Sequence, residues 1–432
     1  MKLLRSILLA GAALVAACGV TGGASADNWP HWRGPHLDGK SAETNLPVEW
    51  SRTENVLWRL PLPGPAGATP IVWDDHIFLT SVDDDALILL CVDTRGREQW
   101  RRVVGKGNKN VRGDEGNYAS PSPVTDGRRV WAFFGQGSLA CFDFDGRPVW
   151  SKNLQSEYGR FEIQFGLSGT PVLHGDNLYL QLIHGKWGPQ TSRGLVVAID
   201  KGSGETVWKS IRATDAVNEN KHSYASATLY QDSDRQFLLT HGADYIIAYD
   251  LRDGRELWRC GNLNPKSNYN DTLRLVASPV AEPGLIVVPS AKGGPVLGLR
   301  PNLQGDVTRD PSAMRWMMQR GTPDVPSPLV HEGLVYLCRE NGNLICLDAE
   351  TGEKIYEQRT HSGRHRASPV YADGHLYLTA RNDGTVTVVK TGRDFKIVSK
   401  NTMNEAISAS PVVADGRIYL RSFDALYAIG RR

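Results

Sequence analysis

Residues 170–208 read TPVLHGDNLYLQLIHGKWGPQTSRGLVVAIDKGSGETVW. Thr170-Pro171-Val172 opens a short apolar run, and Leu178-Tyr179-Leu180 is a second run of strand formers. Ala198-Ile199-Asp200 ends a third, and Gly204-Glu205 leads into a fourth that carries Trp208. The phrase returns from Ser327-Pro328-Leu329 through Val335-Tyr336-Leu337 and Cys346-Leu347-Asp348 to Gly352-Glu353 and Tyr356. Four short strand patterns in a repeat of this length define a β-propeller blade.

The opening anchors are Pro70, Pro123, Pro171, Ala227, Pro279, Pro328, Pro369 and Pro411, spaced 41 to 56 residues apart. Eight anchors imply eight blades. Closing strands carry Trp100, Trp150, Trp208, Trp258 and Trp316, with Tyr356 in blade six and Ile397-Val398 in blade seven. Blade eight ends at Ala428-Ile429 without a fourth strand, whereas Asn55–Arg59 resembles a closing strand with no opening before it. The N-terminal strand is therefore expected to complete blade eight and cover its open edge. The expected fold class is all-β: an eight-bladed propeller of four-stranded antiparallel blades over 55–432, preceded by an extension at 27–54.

The pattern Ala198-x-Asp200-x-x-Ser203-Gly204-x-x-x-Trp208, repeated from Ala248 to Trp258, resembles the tryptophan-docking motif of the PQQ-like propeller repeat family. Blades one and two are one residue shorter between Asp and Trp, and blades five and seven are degenerate. WD40 blades would end in Trp-Asp, and kelch repeats would show a recurring Gly-Gly; neither occurs here.

Residues 1–26 read as an export signal. Lys2 and Arg5 precede the apolar run Ile7 to Ala17, which is short for a membrane span. Val15-Ala16-Ala17-Cys18 resembles a lipobox, making Cys18 a lipidation candidate with a signal of 1–17. Ala24-Ser25-Ala26 is a competing cleavage site. Removing residues 1–26 takes away two cations and no anions, so the mature charge is +2 − 2 = 0. A neutral chain without a basic run argues against nucleic-acid binding. Cys91, Cys141 and Cys346 occupy the repeat position of Ala198 and Ala248, which reads as a small core residue. Cys338 and Cys346 flank the turn at Asn341-Gly342, leaving a disulfide there open.

Loop lengths separate the two faces. From closing strand to next anchor the gaps are 23, 21, 19 and 21 residues after Trp100, Trp150, Trp208 and Trp258, but 12 to 14 elsewhere. The long loops and the hairpin between Leu182 and Gly194 belong to one face, where elaboration points to function. Interaction candidates there are Arg112, Tyr158, Arg160, His184, Lys186, Trp187, His222, Tyr224, Tyr269 and Asp271. Across the ring, Arg359, His361, Arg364, His365 and Arg366 are expected to form a cationic cluster, of which Arg364 and His365 are further interaction candidates. Each residue alone also reads as an ordinary loop side chain. No motif places a catalytic partner beside His184 or His222, and Asp271 among asparagines reads as a turn. No metal site is expected. Trp29-Pro30-His31-Trp32 is expected to pack on the propeller's outside.

The resemblance implies three functions. Quinoprotein dehydrogenases of the family use PQQ with Ca²⁺, but the adjacent cysteine pair of the alcohol dehydrogenases and a haem-binding Cys-x-x-Cys-His are absent here. Sugar dehydrogenases lack that pair too, so PQQ with calcium stays open as the alternative and no cofactor is expected. The chain is also similar to outer-membrane assembly lipoproteins of the BamB group, which implies a non-catalytic scaffold in the periplasm or on the periplasmic face of the outer membrane. Its partner would be the β-barrel assembly machinery, and membrane contact would come only through a lipid anchor. A glycan- or small-ligand-binding propeller is the third reading.

Overall fold

A computed structural model describes residues 28–111 and 115–431. Cys18, both cleavage signals and Arg112 lie outside these residues. Eight sheets of antiparallel strands form the ring. Blade three shows the plan: Val172–His174, Asn177–Leu182, Ser192–Asp200 and Thr206–Thr214 pair in chain order from the axis outward. Blade eight takes its outermost strand from the other end of the chain, where Val56–Pro61 pairs with Ala425–Ile429.

Tryptophans join the blades. Trp58, Trp100, Trp150, Trp208 and Trp316 each donate an indole N–H to a turn carbonyl of the following blade, at 2.8–3.0 Å. The same turns present a glycine against the ring. Gly204, at φ +78°, would put a Cβ 2.8 Å from Trp150 Cδ2. Opposite each ring stands a small residue: Cys91 faces Trp100, Cys141 faces Trp150 and Ala198 faces Trp208. Trp258 is the exception. The chain after blade five's third strand makes an excursion instead of a docking turn, and Gly305–Asp306 pairs in parallel with the outer edge of blade four. Among the described residues Trp258 Nε1 finds no acceptor.

The five cysteines Cys91, Cys141, Cys260, Cys338 and Cys346 are buried and free. Cys338 pairs across the hairpin with Leu344, and Cys346 with Tyr336, so the two thiols do not face each other. This register removes the disulfide left open by the sequence.

A second circuit lies at the axis. The residue before each anchor is a buried hydroxyl: Thr69, Ser122, Thr170, Ser226, Ser278, Ser327, Ser368 or Ser410. Each backbone N–H donates to the hydroxyl oxygen of the next blade, at 2.9–3.1 Å, and Ser410 returns to Thr69. The circuit satisfies eight buried amides that no sheet neighbour could reach.

The N-terminal segment corrects one expectation. It does not pack on the outside of the ring; residues 29–50 cross the face formed by the first-to-second-strand turns. Trp29 exchanges backbone hydrogen bonds with Val72, and Pro30 accepts from Thr125. His31 Nε2 donates to Leu173 O, and Arg33 donates to Pro328 O. Leu37 packs with Ala227 and Leu238 of blade four, and Lys40 pairs with Glu282 of blade five. Gly39 and Ser41 bond Tyr371, and Glu43 accepts from Gly416. The strap touches all eight blades and buries Trp29 and Trp50 there, where burial gains most. Among the described residues no helix is long and apolar enough to cross a membrane.

Candidate functional site

The strap closes one face, so the open face is that of the long loops. Its centre is a funnel of about 540 Å³ running down to the hydroxyl circuit, with Trp32 of the strap at its floor. Phe165, Tyr224 and Arg274 form one side; Glu115, Lys292, Asp324, Glu340, Arg364 and Arg366 form the other.

The charged side is a self-paired lattice. Arg366 Nε and Nη2 donate to the two oxygens of Glu115, at 2.9 and 3.1 Å, while Nη1 donates to Glu340 at 2.9 Å. Arg364 also donates to Glu115. Lys292 donates to Glu340 at 2.7 Å and stands 3.3 Å from Asp324. Burial alone would raise the Glu115 carboxyl, but the Arg366 and Arg364 guanidiniums hold it below the usual carboxylate range. Asp324, the more deeply buried of its pair, is pushed up by burial and by Glu340. Burial opposes ionisation of Glu340 too, but Lys292, Asp324 and Arg366 carry it well down.

This lattice revises the expected cationic cluster. Arg364 and Arg366 are neutralised by two glutamates. His365 is wholly buried, donates through Nδ1 to Gly363 O, and is lowered to about 4 by that burial. His361 sits 3.4 Å from Asp383, and Arg359 ends an outer strand.

The structure brings Tyr224 and Arg364 into the funnel and leaves the other described candidates outside its lining. His222 is buried and donates through Nε2 to Gly185 O at 2.9 Å, locking the blade-three hairpin to the following loop. His184 accepts from the Glu162 N–H at 3.3 Å and packs on Phe161. Burial, then the nearby His222, lower it to about 4. Both imidazoles are thus neutral fastenings. Lys186 and Trp187 occupy the exposed tip of the same hairpin, and Trp187 is 53% exposed. Tyr158 ends a short helix, Leu154–Tyr158, and meets Thr206 Oγ1 at 2.6 Å on the outer strand of blade three. Arg160 follows it, exposed. Tyr269 donates to Asp244 at 2.7 Å, and Asp271 accepts from Asn218. These contacts interlock two of the long loops and the blade-four turn at Asp244, since Glu219 N–H also donates to Asp271 O and Tyr224 N–H to Leu275 O.

Fold and site together define a closed PQQ-like propeller with one open, loop-built face. A family model described as outer membrane protein assembly factor BamB matches residues 42–181, 85–210 and 145–396, and the chain belongs to this family. BamB of Yersinia pestis is 21% identical over 309 residues, covering 68% of this chain and 68% of its own. Among solved structures, BamB from Moraxella catarrhalis superposes with a TM-score of 0.60 at 14% identity, over 87% of this chain and 97% of that one. Quinohemoprotein alcohol dehydrogenase from Comamonas testosteroni reaches 0.66 at 12% identity, over 94% and 81%. At these identities the structural likeness shows the fold.

The enzyme neighbours raise the question of a quinone–calcium pair. Calcium needs about six to eight oxygen ligands. The three funnel carboxylates are already committed to Arg364, Arg366 and Lys292, and no three His, Cys, Asp or Glu side chains among the described residues gather as a ligand set. The donor set does not fit that group.

Proposed function

We propose that this chain is an exported, non-catalytic scaffold of the cell envelope that docks a protein partner through its long-loop face. The observation that carries the reading is Trp187, half-exposed beside Lys186 at the tip of a hairpin fastened to two neighbouring loops. An exposed tryptophan on a rigid support is the kind of anchor that dominates an interface. Lys186, Trp187, Tyr158 and Arg160 would form the contact surface. Family membership supports the outer-membrane β-barrel assembly machinery as the partner. It likewise supports a position at the periplasmic face of the outer membrane, held by a lipid on Cys18 or free after cleavage at Ala26. The committed carboxylates of the funnel support a role without PQQ and calcium.

The test is a pull-down of the tagged full-length protein from its own solubilised envelope, read by mass spectrometry. Barrel-assembly components should be enriched, and Trp187→Ala should reduce their recovery by about tenfold, the effect of losing roughly 1.4 kcal/mol. Recovery unchanged in the variant, or no assembly component at all, would sink the reading.

A further inference from the structure

We infer that the funnel is a binding site for an acidic carbohydrate, a role separate from the docking of a protein on the surrounding loops. Its volume, about 540 Å³, lies within the roughly 300–1,000 Å³ of small-molecule sites. The strap closes the axis from the far side, with Trp32 at the floor, so a ligand enters and leaves by one mouth.

Three features select the ligand. The first is charge. Among the described residues the lining holds four cations (Arg274, Lys292, Arg364 and Arg366) and three carboxylates (Glu115, Asp324 and Glu340), and Glu219, outside the lining, pairs with Arg274. Arg274 stands outside the lattice. Its Nε is 3.4 Å from Glu219, its guanidinium carbon lies 5.9 Å from the Phe165 ring centroid, and its terminal nitrogens make no hydrogen bond among the described residues. Such a fork suits a carboxylate. The second is the aromatic side. Phe165, Tyr224 and Trp32 line the funnel with aromatic surface of the kind that packs on the C–H bonds of a sugar ring. The third is the throat. Each of its eight hydroxyls accepts an amide proton and keeps its own proton for a further acceptor. A hydroxylated ring carrying a carboxylate meets all three features. A neutral sugar leaves Arg274 unused, and an aromatic acid leaves the throat unused.

The experiment is isothermal titration calorimetry of the full-length protein with digalacturonate, with maltose and phenylacetate as comparators. Digalacturonate should bind one-to-one and at least about tenfold tighter than either comparator. Arg274→Gln should weaken it about tenfold or more, with Arg274→Lys falling between the two; circular dichroism identifies a variant that has failed to fold. No saturable binding of digalacturonate overturns the proposal. So does phenylacetate or maltose binding as tightly, or a folded Arg274→Gln that binds like the parent.

Discussion

Gly204→Ala separates two reasons for a glycine at a docking turn. Gly204 sits at φ +78°, and a Cβ there would lie 2.8 Å from Trp150 Cδ2 and 2.9 Å from Cε3. The left-handed backbone costs an L-residue about 1–2 kcal/mol. Pressing a methyl into a packed indole costs about 1–3 kcal/mol more. The indole cannot retreat freely, because its N–H is held by Lys201 O at 3.0 Å. Gly204→Ala should therefore destabilise by about 2–5 kcal/mol. Gly175, in the same blade, is the internal control. It has φ +57° and nothing within 4 Å of its Cβ position, so Gly175→Ala should cost only about 1–2 kcal/mol. Urea unfolding read by tryptophan fluorescence and by circular dichroism compares the two, with coincident transitions required for the free energies to be meaningful. In a Trp150→Leu background the excess cost of Gly204→Ala should largely vanish, as a double-mutant cycle detects. Equal costs for the two glycines, or an excess that survives Trp150→Leu, would refute the packing argument.

Two further outcomes follow from burial. His31, His184, His241 and His365 are held neutral, lowered from 6.5 to between about 3 and 4 chiefly by burial. Their contribution is complete above pH 6.5 and is lost as pH falls through the range down to about 3, so the melting temperature should drop across that window, and His31→Asn should flatten the slope. The five thiols are buried and pushed up to about 11 to 12 by that burial. They should resist Ellman's reagent in the native protein and all react once it is unfolded in urea; a disulfide between any two would contradict the structure.

The blade count, the ring closure by the N-terminal strand and the docking tryptophans were legible because they recur. Trp208 and Trp150 stand at one position of a repeated phrase, and repetition averages out local noise. The hydroxyl circuit was also present, since a Ser or Thr precedes every anchor from Thr69 to Ser410. Its meaning needed the axis, where only neighbouring blades bring amide and hydroxyl together. The funnel was less readable. Loop length pointed to the face on which the funnel opens but favoured the long loops, whereas Lys292 and Glu340 stand in short turns. The Glu115–Arg366 pair spans 251 residues and belongs to no repeat. Trp29 and Trp32 clearly needed cover, but a segment that occurs once has no periodic partner to say where.

The strap also sets an order of events. Its residues and the strand Val56–Pro61 emerge from synthesis before any complete blade, yet their partners include Tyr371, Gly416 and Ala425–Ile429 at the other end of the chain. The first part made is thus among the last that can be seated. Until the final blade exists, the strap cannot reach Gly416 and the strand Val56–Pro61 has no sheet to join. Such long-range closure slows folding and leaves apolar surface waiting in the open. The same stitching gives the finished ring a property that a linear array of repeats lacks, because such an array can lose one end unit at a time. Here every blade is held by two neighbours and by one common segment, so opening any of them loosens a tie shared by all eight.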